Sequence, residues 1–441
     1  MNRGKTIVVV GAQWGSEGKG QVAAVLAEHE NCSHAVRTGS INAGHTVYYK
    51  GKPFVMQIVP TAWVLPNVRL VLGAGCYIEP DILDREVQFI NQATGEDVRN
   101  RLVIDSRCSW FGAEELRRAK EANRHHAMGA TGKGASEGII SKMKDRGADQ
   151  PEMRQFRTRQ SSQGYRFADT QMLLNDALER GENVLVEGTQ GAMLDFHLGP
   201  YPFVTTRQTN SAAWLAECGL PPVNVRTVLV VRSHPIRVAG NSGPMPGETS
   251  WLELARELNA KQEALGLEPV APDWALVEFE RVLEATLREN FAEVLLDVSI
   301  APEDRIRFHR WTPRQRVEHR VAVSEANAVA LRSLTPACRD ALVFFEKTTV
   351  TKKLRRIANL DLPQLRYAIA MNAPDYLVYT FLNYDFPHLR DAMFETTLSE
   401  PQVQGHLDRV EQELGVPIHY ATTGALPEHQ IRRTSSLNLN T

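Results

Sequence analysis

Several absences narrow this 441-residue chain before any motif is read. No run of 18 apolar residues occurs, so the sequence predicts no membrane span. The cysteines, Cys32, Cys76, Cys108, Cys218 and Cys338, are odd in number, widely scattered and never in a CxxC pair. That argues against a disulfide framework or a cysteine zinc site and for free thiols in a reducing cytosol. A basic excess is missing too: 50 Lys and Arg face 52 Asp and Glu, for a formal net charge of −2. Proteins built around nucleic acid usually carry such an excess or a basic stripe. The expected partners are therefore small molecules, with no nucleic acid and no membrane. Met1–Lys5 leads straight into the strand-like run Thr6–Val10, without the charged, apolar and small-residue zones of a signal peptide, so a cytoplasmic location is expected. There is no low-complexity linker and no internal repeat.

What the chain does have is alternation. Short apolar runs, at Thr6–Val10, Arg69–Leu72, Leu102–Ile104, Val184–Val186, Val225–Val231, Val294–Val298 and Tyr376–Leu382, read as buried strands. Stretches of helical period lie among them, at Gln21–His29, Asp169–Arg180, Trp251–Leu265, Trp274–Asn290 and Gln402–Leu414. Such alternation predicts an α/β sheet with helices on its faces. Residues 248–345 differ, being helix-rich, charged and free of Gly-rich turns, and read as a helical insertion within one domain spanning 1–441. The run Arg305–Arg320, with six arginines and two histidines, reads as a solvated face rather than a phosphate or nucleic-acid contact.

The strongest chemical signal closes the first strand, Gly11-Ala12-Gln13-Trp14-Gly15-Ser16-Glu17-Gly18-Lys19-Gly20. A strand, four glycines in ten residues, a lysine and then a helix make a phosphate cradle: glycines let backbone N–H groups approach an anion, and lysine adds a full charge. It is not a Walker A loop, because Gln13 stands at the first glycine and Gly20 at the Ser/Thr. A glycine-rich turn alone is weak evidence, and the later blocks decide. They are Gly39-Ser40-Ile41-Asn42-Ala43-Gly44-His45-Thr46, Gly129-Ala130-Thr131-Gly132-Lys133-Gly134 and Glu187-Gly188-Thr189-Gln190-Gly191-Ala192-Met193-Leu194-Asp195. Behind them come Arg237-Val238-Ala239-Gly240, Thr348–Lys353 and Thr422-Thr423-Gly424. A lone histidine is more often structural than catalytic, but His45 lies in a small-residue loop that can bring backbone against a ligand.

The ordered set Gln-Trp-Gly-x-Glu-Gly-Lys-Gly (13–20), Asn-Ala-Gly-His-Thr (42–46), Glu-Gly-x-Gln-Gly-x-x-Leu-Asp (187–195) and Tyr-Pro-x-Val-Thr (201–205) resembles the adenylosuccinate synthetases over about 5–245 and 346–430. The resemblance implies that family's single-domain, mostly parallel, P-loop-like α/β fold. It also implies transfer of phosphate from a nucleoside triphosphate to O6 of a purine nucleotide, followed by displacement by the amine of L-aspartate. Mg²⁺ is the implied cofactor, with the Gly44 carbonyl as a ligand and position 16 as another. By the same resemblance His45 is the acid and Gln190 orients the base. Lys19 holds phosphates with the loop of Gly15, Glu17, Gly18 and Gly20, and Asn42 and Ala43 join the nucleotide set. Thr131 and Thr205 grip the monophosphate, Val238 lies beside its ribose, and Thr422, Thr423 and Gly424 belong to the nucleotide site. A homodimer is implied, in which Arg146 is the candidate lent to the partner's nucleotide.

Three departures matter. The family's base and magnesium ligand is an aspartate where this chain has Ser16, which cannot take a proton at neutrality unaided. Serine is shorter and uncharged, and leaves room for the 2-amino group of guanine. That matches the phage-type branch, the 2-aminoadenylosuccinate synthetases, which act on dGMP on the way to diaminopurine deoxynucleotides. Asn383 replaces the aspartate that reads guanine in GTP-using members, and a carboxamide suits the adenine edge, so ATP or dATP is expected. The aspartate-binding loop becomes Val350-Thr351-Lys352-Lys353-Leu354-Arg355-Arg356, with Thr351, Lys353 and Arg355 as its candidate ligands. Two other readings remain open: an IMP-using synthetase with a relocated base, and an inactive nucleotide-binding protein.

Overall fold

The computed structural model describes residues 3–39, 41–121, 134–145, 163–237, 243–290, 313–347, 354–435 and 437. Its main sheet contains β1 (Thr6–Gly11), β2 (Cys32–Arg37), β3 (Arg69–Leu72), β4 (Leu102–Asp105), β5 (Arg166–Ala168), β6 (Asn183–Glu187), β7 (Val225–Arg232), β8 (Tyr376–Thr380), β9 (Ile418–Thr422) and β10 (Gln430–Arg432). They lie in the order β10-β9-β8-β7-β1-β6-β2-β3-β4-β5. Neighbours run parallel except β10, which pairs antiparallel with β9. This is the mostly parallel α/β sheet that the resemblance implies.

The apolar runs are continuous because both faces of the sheet are covered. Ile7, Val9, Leu185, Val228, Val230 and Val378 point into one core, where α1 (Lys19–His29) adds Val22, Ala23 and Leu26. The intervening residues Val8, Val10, Val184, Val186, Leu229, Val231 and Leu377 point into a second. There they meet Leu174, Trp214, Leu365 and Leu407 from helices Thr170–Glu179, Ser211–Cys218, Leu362–Asn372 and Pro401–Leu414. A third core joins Trp251, Leu258, Leu276, Phe279, Leu331 and Phe345, and packs on Ile236, Leu354 and Ile357. It is built chiefly by helices Trp251–Ala264, Asp273–Asn290 and Pro313–Ser333. The first of these opens with a capping box, Ser250 against Glu253.

The run Tyr376–Leu382 does not stay extended to its end. The strand stops at Thr380, because Phe381 adopts a left-handed conformation (φ 61°) and Leu382–Tyr384 forms a single 3₁₀ turn. Val294–Val298 lies outside the described residues, as does the start of Arg305–Arg320, whose remainder opens the helix Pro313–Ser333. The sequence reading singled out neither the hairpin His45–Tyr49/Lys52–Met56 nor the strands β2, β5, β9 and the antiparallel edge strand β10. Because β1, β2 and β6 to β9 are parallel, their last residues Gly11, Arg37, Glu187, Arg232, Thr380 and Thr422 share one edge. Open α/β sheets bind ligands at that edge.

Candidate active site

The phosphate loop runs from Gly11 to Lys19 with left-handed backbone at Gly15, Ser16 and Gly18 (φ 88°, 62° and 86°). Glu17, fully buried, shapes it from inside. Its Oε1 accepts from the backbone N–H of Gln13 (3.1 Å) and of Gly15 (2.9 Å), while Oε2 pairs with the buried Lys19 ammonium. Lys19 is thus engaged by Glu17 in this structure. The Gln13 carboxamide ties the loop to β7, donating to the Arg232 carbonyl (2.8 Å) and accepting from the Arg232 N–H (3.0 Å). Gly20 matters for closeness, since a Cβ there would lie 2.7 Å from the Thr46 carbonyl oxygen and 2.9 Å from the His45 Cβ. The missing side chain lets the His45 hairpin dock on α1.

His45 is 7% exposed, and its Nδ1 lies 2.6 Å from Glu187 Oε1. Glu187, closing β6, also accepts from the Thr61 N–H (2.7 Å) and hydroxyl (3.0 Å) and from Arg37 Nη1 (3.2 Å). Arg37 closes β2, and its Nη2 donates to the Ala43 carbonyl (3.0 Å), fixing the loop that leads to His45. Burial foremost, then the charge of Arg37, pushes the His45 imidazole down to about 4 against the pull of Glu187. Burial pushes the Glu187 carboxyl up, but the Arg37 charge and the His45 hydrogen bond outweigh it and hold it below its usual range. Asn42 beside it is half-buried, and Gly44 is exposed.

Two arginines converge on Ser16. Arg232 Nη1 donates to its carbonyl (3.1 Å) and Arg355 Nη1 to its hydroxyl (2.7 Å). Glu346 pairs with Arg232 and accepts from the Tyr384 hydroxyl (2.5 Å). Burial raises the Glu346 carboxyl, yet the charges of Arg232 and Arg355 prevail and hold it down. The Arg232 guanidinium stacks on the Phe381 ring at 3.6 Å, and Thr380 Oγ1 donates to the Glu17 carbonyl (2.8 Å). The end of β8 is therefore built directly onto the phosphate loop.

Gln190, with φ 63°, follows β6 and donates from Nε2 to Thr205 Oγ1 (2.6 Å); its buried Oε1 has no partner among the described residues. That oxygen is an acceptor with its hydrogen-bonding capacity unused among the described residues. Asn383 is half-buried in the 3₁₀ turn beyond Phe381. Thr422 Oγ1 accepts from the Phe381 N–H (3.1 Å), whereas the Thr423 hydroxyl is turned inward on the Ala392 carbonyl (2.6 Å). Gly424 is tightly enclosed, a Cβ there falling 2.2 Å from Asp391 Oδ1 and from His429 Nδ1. Thr131, Arg146, Val238, Thr351 and Lys353 lie outside the described residues.

Sequence reading gave no role to Arg37, Glu187, Arg232 or Glu346. For three of them a signal existed: a charged residue ends an apolar run at Arg37 (after Ala35 and Val36), Glu187 (after Val184–Val186) and Arg232 (after Val228–Val231). Among the described residues no three His, Cys, Asp or Glu side chains gather as for a metal ion. A hard cation here would rely on neutral oxygens and on substrate phosphates, as Mg²⁺ commonly does. The exposed Gly44 carbonyl fits that role, while Ser16 Oγ fits it only once Arg355 lets go.

A glycine cradle at the carboxyl edge of a parallel sheet, with a carboxylate-backed histidine facing it, defines a nucleotide-binding α/β enzyme that handles phosphoryl groups. The family described as adenylosuccinate synthetase matches residues 8–163 and 148–268. The chain belongs to the adenylosuccinate synthetase family, whose members are ligases that form a carbon–nitrogen bond. It is 34% identical over 259 residues to the adenylosuccinate synthetase of Methanocaldococcus jannaschii, spanning 57% of this chain and 70% of that one. With that of Thermococcus sibiricus it shares 34% over 253 residues, 56% of this chain and 71% of the relative. Two solved structures share the fold at TM-score 0.65. One is a cyanophage S-2L succinoaminodeoxyadenylate synthetase bound to dGMP and dATP (23% identity, covering 98% and 96% of the two chains). The other is fully ligated adenylosuccinate synthetase from Plasmodium falciparum (19% identity, 98% and 100%).

Proposed function

We propose that this ligase joins L-aspartate to C6 of dGMP or GMP, giving 2-amino-N6-succinyl-(deoxy)adenylate, with ATP or dATP as phosphoryl donor. The observation that carries this reading is Ser16: a short, neutral side chain in the phosphate loop, at the position where the family has its aspartate base. A hydroxyl leaves space for a purine 2-amino group, and its remaining lone pair accepts from that group. In the first step the terminal phosphoryl passes to the purine O6, the N1 proton is lost to solvent and the nucleoside diphosphate leaves; in the second the aspartate amine, losing a proton, displaces inorganic phosphate from C6.

The residues divide this work. Lys19 and the amides of Gly15, Gly18 and Gly20 take the phosphates as Lys19 leaves Glu17. His45, kept in place by Glu187, meets the phosphoryl group in flight. Gln190 accepts from the base with its free Oε1, and Thr205 beside it takes the monophosphate. Arg355 faces the amino acid's carboxylate. Mg²⁺, held at the Gly44 carbonyl and by the phosphates, would supply further charge neutralisation on the transferred group. Residues 248–345 form an insertion in a single domain, and the assembly is a homodimer sharing Arg146.

Initial rates of phosphate release with L-aspartate and ATP, across dGMP, GMP and IMP, test the reading. We expect kcat/KM for dGMP or GMP to exceed that for IMP by about tenfold or more, the discrimination that one polar group in a fitted pocket supplies. Comparable or better use of IMP would replace it with a second reading, adenylosuccinate synthesis with a relocated base. The names of the archaeal relatives favour that alternative. Absence of turnover with every nucleotide would leave a nucleotide-binding protein.

A further inference from the structure

Among the described residues two arginines reach Ser16, while Glu17 is taken by Lys19 and Glu346 is the remaining carboxylate nearby. Arg232 and Arg355 both act on Glu346, but only Arg232 lies within ion-pair distance of it. Among the described residues no carboxylate pairs with Arg355, a half-buried guanidinium whose charge burial disfavours. Its side-chain bonds to described residues run from Nη1 to the Ser16 hydroxyl (2.7 Å) and from Nε to the Lys347 carbonyl (3.3 Å), both neutral acceptors. Enclosed charges in folded proteins are normally paired, so a surplus cation beside the reacting groups is the signature of a site whose anion arrives with the substrate.

We propose that Ser16 is a positioning residue for the amino-acid substrate: its neutral hydroxyl aims Arg355 without neutralising it, leaving the guanidinium free to clamp a substrate carboxylate. This rests on the ligase reading above but not on which purine is used. A guanidinium presents a planar fork that binds a carboxylate through two parallel hydrogen bonds, and a hydroxyl is a poor competitor for it. A carboxylate at position 16 would be a strong competitor, closing an ion pair with Arg355 and cancelling the attraction. One small side chain thus sets both the room beside the purine and the charge left for the amino acid.

The test separates charge from shape. L-Aspartate is titrated calorimetrically into the nucleotide-free wild type, Ser16→Asp and Ser16→Asn. KM for aspartate and kcat are then measured on whichever of IMP, GMP and dGMP each protein turns over. We expect Ser16→Asp to weaken aspartate binding by roughly tenfold or more, and Ser16→Asn, of the same size but neutral, to stay within about threefold of wild type. Arg355→Met should weaken it like Ser16→Asp, with Arg355→Lys in between. Equal losses in Ser16→Asp and Ser16→Asn, no loss in Ser16→Asp, or no measurable aspartate binding by wild type would each overturn the proposal. A preference for IMP would overturn the purine assignment and leave this comparison intact.

Discussion

At His45 the hydrogen on the imidazole is located by its partner. An ionised Glu187 can only accept, so the 2.6 Å contact puts the hydrogen on Nδ1 and leaves a lone pair on Nε2. With the imidazole pushed down to about 4, the ring is neutral at pH 7. In the proposed reaction it would become an acid once an incoming phosphoryl dianion raises its affinity for a second proton. His45→Ala is expected to lower kcat by roughly 10²–10⁴ while the Kd for nucleotide changes little, measured by steady-state rates and calorimetry. The same depressed value has a consequence for stability. Between about 4 and the unfolded value of 6.5 the unfolded histidine binds a proton that the native one refuses. Stability therefore rises with pH across that window and is lost as pH falls through it, by up to about 3 kcal/mol for this group. Glu187, also held low, acts in the same direction at still lower pH. Denaturant midpoints from pH 4 to 7 should fall less steeply on the acid side in His45→Ala than in wild type; equal slopes would show that His45 titrates normally.

Among elements, the segment closing β8 carries the sharpest expectation. Phe381 turns left-handed and is anchored by Thr422, which brings Asn383 into the 3₁₀ turn beside the phosphate loop. If Asn383 faces the triphosphate's base, as the proposed function has it, its carboxamide would pair with adenine's donor–acceptor edge but leave guanine's two donors short of acceptors, at roughly 1–3 kcal/mol per group. ATP or dATP should be used about tenfold better than GTP, and Asn383→Asp should narrow or reverse the gap in kcat/KM. A GTP preference in the wild type would mean that Asn383 does not face the base. This segment also shows where sequence reading succeeds and fails. The strand, glycine-rich turn and helix over Thr6–His29 were legible because the glycines, the lysine and the flanking elements are contiguous. The Arg232–Glu346–Tyr384 cluster was illegible because its members come from widely separated elements and meet only when β7 and β8 align. The His45–Tyr49/Lys52–Met56 hairpin escaped for a different reason, since His45, Thr46 and Lys52 hide its alternating pattern.

At the scale of the whole molecule, the layer of helices Trp251–Ala264, Asp273–Asn290 and Pro313–Ser333 packs onto the segment that carries Glu346 and Arg355. Its first helix begins with Trp251, whose indole N–H donates to the Arg355 carbonyl (2.7 Å) and whose ring packs on Phe344 and Phe345. Those phenylalanines precede Glu346, the carboxylate that holds Arg232, and Phe345 in turn packs edge-on against Phe279 of the next helix. The third core thus fixes both ends of the segment that supplies Glu346 and Arg355, although none of its helices contributes a reacting group. Trp251→Phe keeps most of the ring packing and removes the N–H, leaving the Arg355 carbonyl unpaired. We expect a loss of about 1–2 kcal/mol in stability by denaturant unfolding, the usual penalty for an orphaned buried acceptor. If the layer positions Arg355, KM for aspartate should also rise by about three- to tenfold while KM for the purine nucleotide stays near wild type. An unchanged aspartate KM alongside the stability loss would confine Trp251 to packing. Uniform increases in every KM would instead indicate loosening of the whole sheet edge.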